Sequence, residues 1–305
     1  MIKKNFVKIS ILNVYSDINS RGSEQWAESL KEKIKGKFEV EIFSEIYRDY
    51  FKWIKSDIII PTNGRAQVFL CRLITWFRKK PMIVFGHSGL GVDDKWNLLC
   101  SPNVFVAFSS YQKEWAEKFK LPWTKVVLIP HAVDVGKFTE AKNKPNKKVI
   151  LCVAANQPNK RINLVEKAVK LIPEASFMAV GKGNEVGVLF DYMPGIYKKA
   201  DIFCFVPQPW EAFGLVFLEA LASNLPVVTI NDPVRREIVG KAGILIDNPE
   251  NESDLAKAIT KALEIDWRDK QSLAKLGLGN PRKQAENFSW GKIRIKYEEL
   301  FKSVI

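Results

Sequence analysis

Two glutamates, Glu211 and Glu219, bracket the stretch Glu211-Ala212-Phe213-Gly214-Leu215-Val216-Phe217-Leu218-Glu219. The run that follows Gly214, LVFLEALA, has helix-forming composition, and Gly214 interrupts the pattern ahead of it, which puts Gly214 at a helix N-terminus. Backbone N–H groups at Gly214, Leu215 and Val216 are then unpaired at the positive end of a helix dipole, an arrangement that suits a phosphate. Glu219 falls in the second turn among apolar neighbours, where a carboxylate is costly without a partner. A ribose diol would offer two hydroxyl donors to its oxygens. Glu211, on the loop end before the helix, is placed to meet a sugar. On spacing alone, a solvated loop residue at 211 and a helix-surface charge at 219 remain an equally open reading.

The elements around this stretch form a regular series. A strand over 201–206 leads into it and another over 225–230 follows. Earlier in the same half come a strand over 149–154, a loop 156–161 holding Lys160 and Arg161, a helix over 163–171, and a strand over 176–180 ending in Gly181-Lys182-Gly183. A short strand at 244–246, a helix over 253–265 and an amphipathic tail from 288 to 301 complete it. The first half repeats the scheme. Strands are expected over 7–15, 38–43, 57–60, 81–85, 104–108 and 126–129. Helices are expected over 24–35, with Trp26, Ala27, Leu30 and Ile34 on one face, and over 111–120 behind a Ser109-Ser110 cap. Such alternation argues for parallel sheets with helices on both faces. The polar segment 136–148 is the best linker candidate.

Two further features bear on function. His87 ends the 81–85 strand in Gly86-His87-Ser88-Gly89, and the carboxyl ends of parallel strands are where ligands bind in such sheets; a purely structural histidine is the alternative. The helix over 65–80 sets Val68, Phe69, Leu73, Ile74 and Phe77 beside Arg65, Arg72, Arg78, Lys79 and Lys80. Its ordinary reading is a covering helix with a solvated face, and a membrane-surface helix is the other.

Bulk properties set the limits. A chain of 305 residues with 47% apolar content can fill two cores. No run of about 18 uncharged apolar residues occurs, and no signal peptide is read at the start. Four scattered cysteines, Cys71, Cys100, Cys152 and Cys204, have no metal-like spacing and fit reduced thiols. The net charge is +13, and residues 1–139 carry 22 Lys/Arg against 14 Asp/Glu, a balance of +8. Basic surface attracts phosphates in general, or serves solubility alone. No zinc spacing or aromatic-basic motif supports a nucleic-acid partner.

Taken together, these segments resemble the family 4 glycosyltransferases, retaining enzymes that use nucleotide-sugars. Glu211 through Glu219 looks like the family's E-x7-E signature, and Ala220-Leu221-Ala222 with Leu225-Pro226-Val227-Val228 is similar to its continuation. Ile129-Pro130-His131-Ala132-Val133-Asp134 resembles its interdomain segment. Gly86-His87-Ser88 occupies the place of its active-site histidine, Lys160 that of its diphosphate-binding lysine, and the segment from Phe288-Ser289-Trp290 that of its last helix. Four departures stand out. Ala154-Ala155 replaces a Gly-Arg pair whose arginine binds the diphosphate, Arg161 stands where the family has Gly, Arg21-Gly22 replaces a Gly-Gly pair, and Ala212 replaces a Gly inside the signature.

The resemblance implies an α/β protein of the GT-B fold, with two Rossmann-like domains facing across a cleft. The implied divisions are 1–138 (acceptor side), 139–287 (donor side), and 288–305, a helix returning to the first domain. It implies a retaining glycosyltransferase acting from a UDP- or GDP-linked sugar on a carbohydrate or lipid-linked acceptor; a catalytically inactive binding protein of the same fold is the alternative. Catalytic roles fall to His87, Glu211 and Lys160. Donor-binding roles fall to Glu219, Gly214, Leu215, Val216, Phe213, Arg161 and Gly22. No cofactor beyond the nucleotide-sugar substrate is expected, and no metal, since no D-x-D triplet occurs. The expected location is the cytoplasm, with peripheral attachment to the inner face of an anionic membrane left open.

Overall fold

The computed structural model describes residues 6–14, 22–141, 148–184 and 190–305. Arg21 of the Arg21-Gly22 pair and residues 142–147 of the expected linker lie outside the described residues. The chain divides into two compact units, one of Met1–His131 with Gly291–Ile305 and the other of Ala132–Trp290.

In the first unit, β1 (Val7–Leu12), α1 (Gly22–Ile34), β2 (Phe38–Phe43), α2 (Tyr50–Trp53), β3 (Ile58–Pro61) and α3 (Arg65–Phe77) come first. Next are β4 (Ile83–Phe85), α4 (Val92–Leu99), β5 (Val104–Ala107), α5 (Ser110–Phe119) and β6 (Lys125–Leu128). Strands run β2-β1-β3 and β4-β5-β6, all parallel, and one parallel bridge between Ile59 and Met82 joins the two sets. The strands IIIP, IVF and VFVA are buried throughout, as expected where helices cover both faces of a parallel sheet. Ser109 caps α5 as its sequence suggests, its hydroxyl accepting from Gln112 N at 3.1 Å.

The second unit begins with β7 (Lys148–Val153), α6 (Ile162–Lys170), β8 (Ala175–Val180), α7 (Met193–Tyr197), β9 (Ile202–Cys204) and α8 (Leu215–Ala222). It continues with β10 (Val227–Ile230), α9 (Pro233–Val239), β11 (Gly243–Ile246), α10 (Glu252–Glu264), α11 (Lys270–Lys275) and α12 (Pro281–Ala285). The last helix, α13 (Trp290–Ser303), packs in the first unit, where the Trp26 indole N–H donates to Tyr297 Oη at 2.9 Å.

The second sheet runs β11-β10-β9-β7-β8, again all parallel. Counted from β7, this is the 2-1-3-4-5 order of a doubly wound fold. Its topological switch point, where ligands bind outside the carboxyl ends of the strands, lies between β7 and β9. The β9 region explains why the sheet is covered on both sides. Ile202, Cys204 and Val206 join one apolar core with α6 and α10. Phe203 and Phe205 point the other way, onto the Phe217 ring of α8 at 5.7 and 5.5 Å. This is the period-two alternation of a strand between two layers of helix.

Part of the expected linker is built into this unit. Phe138 is buried beside the rings of Tyr197 and Phe190, and the Asp134 carboxylate accepts from Gly136 N and Lys137 N at 2.9 and 3.0 Å. Arg282, near the start of α12, donates to the carbonyls of Phe138 and Val135, each at 2.6 Å, and to that of Ala222 at the end of α8. Replacing it leaves three carbonyls without their charged donor. Arg282→Ala should lower the stability of this unit by about 3 kcal/mol in urea unfolding, and Arg282→Lys should recover only part of the loss.

Candidate functional site

The loops leaving β7 and β9, on either side of the switch point, together with α8 hold most of the residues singled out from the sequence. After β7 the chain turns at Ala154-Ala155, makes one turn of 3-10 helix at Pro158–Lys160, and enters α6 through Arg161. Gly181, after β8, lets this turn sit close: a Cβ there would meet the Ala154 carbonyl oxygen at 2.3 Å. The Asn184 side-chain amide also donates to that oxygen, at 2.8 Å. The loop after β9 docks on the lysine loop through Gln208 N, which donates to the Asn159 carbonyl at 3.0 Å.

That docking brings Lys160 and Glu211 together. The Lys160 ammonium bonds Glu211 Oε2 directly, and both side chains are mostly shielded from water. Glu211 is held from behind as well, since Arg235 Nη1 donates to its backbone carbonyl at 2.9 Å. Arg235 is completely buried at the start of α9, with its guanidinium 5.7 Å from the centre of the Phe217 ring and 3.6 Å from Asp232. Burial lowers its pKa, opposed by the charges of Asp232 and Glu211.

Gly214 caps α8 with φ +87°, a conformation that disfavours any side chain, and a Cβ there would strike the Phe217 ring at 2.7 Å. Leu215 and Val216 follow as the first two helical residues, half-buried, so the open N-terminus of α8 lies three residues beyond Glu211. The Phe213 ring is buried and faces Phe288, so its side chain belongs to the core.

Glu219 is buried on the same helix. Its Oε2 accepts from the Tyr197 hydroxyl at 2.7 Å, a partner from α7 that the sequence does not announce. Burial pushes its carboxyl up to about 7, although the Tyr197 hydrogen bond and the Lys137 charge both favour ionisation. Lys137 itself pairs with Asp191 at 2.8 Å and lies 4.4 Å from the centre of the Phe190 ring.

Arg161 occupies the position where the family has glycine and takes the backbone glycine would favour, φ 52° and ψ 35°. Its guanidinium pairs with Glu250. Oriented with its oxygen inward, the Gln208 amide accepts from Arg161 Nε at 3.1 Å and Nη2 at 3.3 Å. This cation therefore stands beside the Lys160–Glu211 pair, engaged by side chains of two neighbouring loops.

His87 and Gly22 belong to the first unit. His87 follows β4 amid aromatic rings, with Trp26 at 4.9 Å, Phe108 at 5.0 Å and His131 at 5.6 Å. Burial lowers its pKa to about 3, so the imidazole is neutral, and its Nε2 is buried with no hydrogen-bond partner among the described residues. Gly22 is the exposed first residue of α1.

Sequence reasoning missed Tyr197, Arg235 and Lys137. Arg235 had a signal: Asp232-Pro233 is a helix cap followed by proline at the first helical position, and the Asp232 carboxylate does accept from Arg235 N at 2.8 Å. Tyr197 had none, because its contact with Glu219 is tertiary.

Comparison with known proteins gives this geometry a family context. Residues 136–277 match the family model of the glycosyl transferases group 1. The sulfoquinovosyl transferase SQD2 of Arabidopsis thaliana is 27% identical over 171 residues, covering 49% of this chain and 32% of that protein. The phosphatidyl-myo-inositol mannosyltransferase of Mycolicibacterium smegmatis is 23% identical over 228 residues, covering 65% of this chain and 57% of that protein. The chain spans 32%, 24% and 26% of the lengths of the first three curated relatives it matches. Among solved structures, Anabaena HepE in complex with UDP-glucose has a TM-score of 0.72 at 18% identity, over 97% of this chain and 99% of that one. The α/β architecture is that of the GT-B glycosyltransferases, as the sequence resemblance implied.

The carboxyl of Glu219 gives a test of its burial. Its folded pKa of about 7 lies above the ordinary glutamate value, so its contribution to stability is fully present below about 4.3 and is lost as pH rises through about 7. Above that range the fold holds a buried anion. Glu219→Gln should therefore raise stability over the parent by about 2 kcal/mol at pH 8 and by little at pH 4 in urea unfolding.

Proposed function

We propose that this chain, whose residues 136–277 match the family model of the glycosyl transferases group 1, transfers a sugar from a nucleotide-sugar donor to an acceptor hydroxyl with retention of anomeric configuration. The observation that carries this reading is the meeting of Lys160 and Glu211 beside the open N-terminus of α8, at the switch point of the second sheet. A cation and unpaired N–H groups suit a diphosphate, and a carboxylate next to them suits the hydroxyls of the attached sugar.

In this reading the nucleoside diphosphate lies over the ends of β7 and β9. Glu219 accepts from the ribose diol through the oxygen that Tyr197 does not hold. Gly214, Leu215 and Val216 offer their N–H groups to the diphosphate, and Lys160 moves from Glu211 to a phosphate oxygen. That exchange frees Glu211 for the sugar. Arg161 supplies the second positive charge that the family's arginine would give at Ala155. UDP-glucose bound by a protein of the same fold supports a donor of this class, linked to UDP or GDP. No cofactor besides this substrate is invoked.

The chemistry breaks the bond between the anomeric carbon and the diphosphate oxygen, which leaves with the electron pair. The acceptor oxygen bonds to the anomeric carbon on the same face, and its proton passes to the departing phosphate. Negative charge grows on that phosphate, so a fixed helix end and a lysine stabilise the transition state more than the ground state. The family resemblance gives the neutral His87 of the first unit the role of hydrogen-bonding a sugar hydroxyl or stabilising the positive anomeric centre. The acceptor is a carbohydrate or a lipid-linked glycan; the M. smegmatis relative is named for a phosphatidylinositol acceptor.

Purified protein incubated with UDP- and GDP-sugars should release nucleoside diphosphate slowly in the absence of acceptor. Lys160→Ala and Glu211→Ala should each lower that release by about 100-fold or more. Release that is unchanged in both variants would refute the reading.

A further inference from the structure

The outer side of α3 is built unlike a solvated helix. Val68, Cys71 and Thr75 face the sheet and are buried. Phe69, Leu70, Leu73, Trp76 and Phe77 recur at the spacing of one helical stripe on the other side. Phe69, Leu73 and Phe77, part of the helix's apolar set in the sequence, are exposed. Phe69 is 55%, Trp76 67% and Phe77 79% accessible. The sheet takes up only one narrow face, and the sequence supplies apolar residues to both. Single exposed apolar side chains are ordinary, whereas a contiguous stripe marks an interaction surface.

The surroundings of the stripe indicate what covers it. The helix α4 packs beside α3 and exposes Val92, Trp96 and Leu99. Trp123 is also exposed, and its indole N–H bonds Ser101 Oγ just beyond the end of α4. Charge follows the same region. Residues 47–80 carry eight Lys/Arg against two Asp/Glu. Arg78 and Lys79 are exposed directly past the last turn of α3, while Asp93 of α4 is neutralised by Arg65. A second copy meeting this face about a two-fold axis would set its cations against one another. Tryptophans beside an apolar stripe, with cations at its end, match the headgroup zone of a bilayer instead.

We propose that this face of the first unit docks on an anionic lipid membrane. Phe69, Leu73, Trp76 and Phe77 enter the boundary between headgroups and acyl chains, and Arg78 and Lys79 meet lipid phosphates. No helix among the described residues is long and apolar enough to cross a membrane, so the attachment proposed is peripheral. The proposal rests on this surface, whereas the observation that carries the catalytic reading lies in the second unit.

Co-sedimentation of the full chain with vesicles tests it. Vesicles of phosphatidylcholine mixed with phosphatidylglycerol should carry the protein down, and phosphatidylcholine alone should do so far less. The pair W76S/F77S should weaken binding to the mixed vesicles by about tenfold or more. The pair R78E/K79E should do so by a similar factor, about tenfold, and should remove the preference for anionic lipid. Both pairs lie on exposed positions, so melting temperature should stay close to the parent's. Binding that ignores lipid charge and both substitution pairs overturns the proposal. So does a stripe-dependent dimer in lipid-free solution without vesicle binding, which would assign the face to a second copy. Nucleotide-sugar hydrolysis without lipid reads the catalytic proposal separately, so failure of one leaves the other standing.

Discussion

The Glu219 carboxylate sits on a helix whose neighbours from Phe217 to Ala222 are all buried. Water cannot reach it freely, and its pKa is raised accordingly. Much of the second unit follows from holding this group where it is. Tyr197 bonds one of its oxygens, and Phe138 packs on Tyr197. Arg282 ties the segment around Phe138 to the far end of α8. At the near end, Phe217 fixes the helix against β9 and closes the space beside Gly214, so the turn into α8 is glycine by necessity. A carboxylate kept in such a place lowers stability once it ionises.

Lys160 and Glu211 solve a related problem. Each is a charge that the proposed donor would use, and in the free protein each neutralises the other at the surface of the site. Buried Arg235 anchors the backbone of Glu211 and leaves its carboxylate to Lys160. In the proposed reaction this ion pair exchanges partners, with the diphosphate replacing the carboxylate on Lys160.

The strands were readable because each is either an apolar run, as in β3, β4 and β5, which are buried along their whole length, or a clear alternation, as in the FEVEIF of β2. The glutamates and Gly214 were readable because an acid in an apolar helix and a glycine before it break the local pattern. The short helices α2, α4, α7, α11 and α12 carry too few turns to show a period. Tyr197 acts through a contact distant in sequence, so nothing local marks it, and the cap at Asp232 marks the start of α9 without showing that Arg235 reaches back to Glu211. The helix α3 shows the opposite failure. Its apolar residues were visible, but periodicity does not say which of two apolar faces meets the sheet, and the aromatic one faces outward.

The central claim is that Glu219 receives the ribose diol of a nucleoside diphosphate held over β7 and β9. Calorimetric titration with UDP or GDP, whichever binds, and with its 2′,3′-dideoxy analogue tests this most directly. The natural nucleotide should bind the parent protein about tenfold or more tightly than the dideoxy form, and Glu219→Ala should abolish the difference. Equal affinity of the two nucleotides for the parent protein would contradict the account.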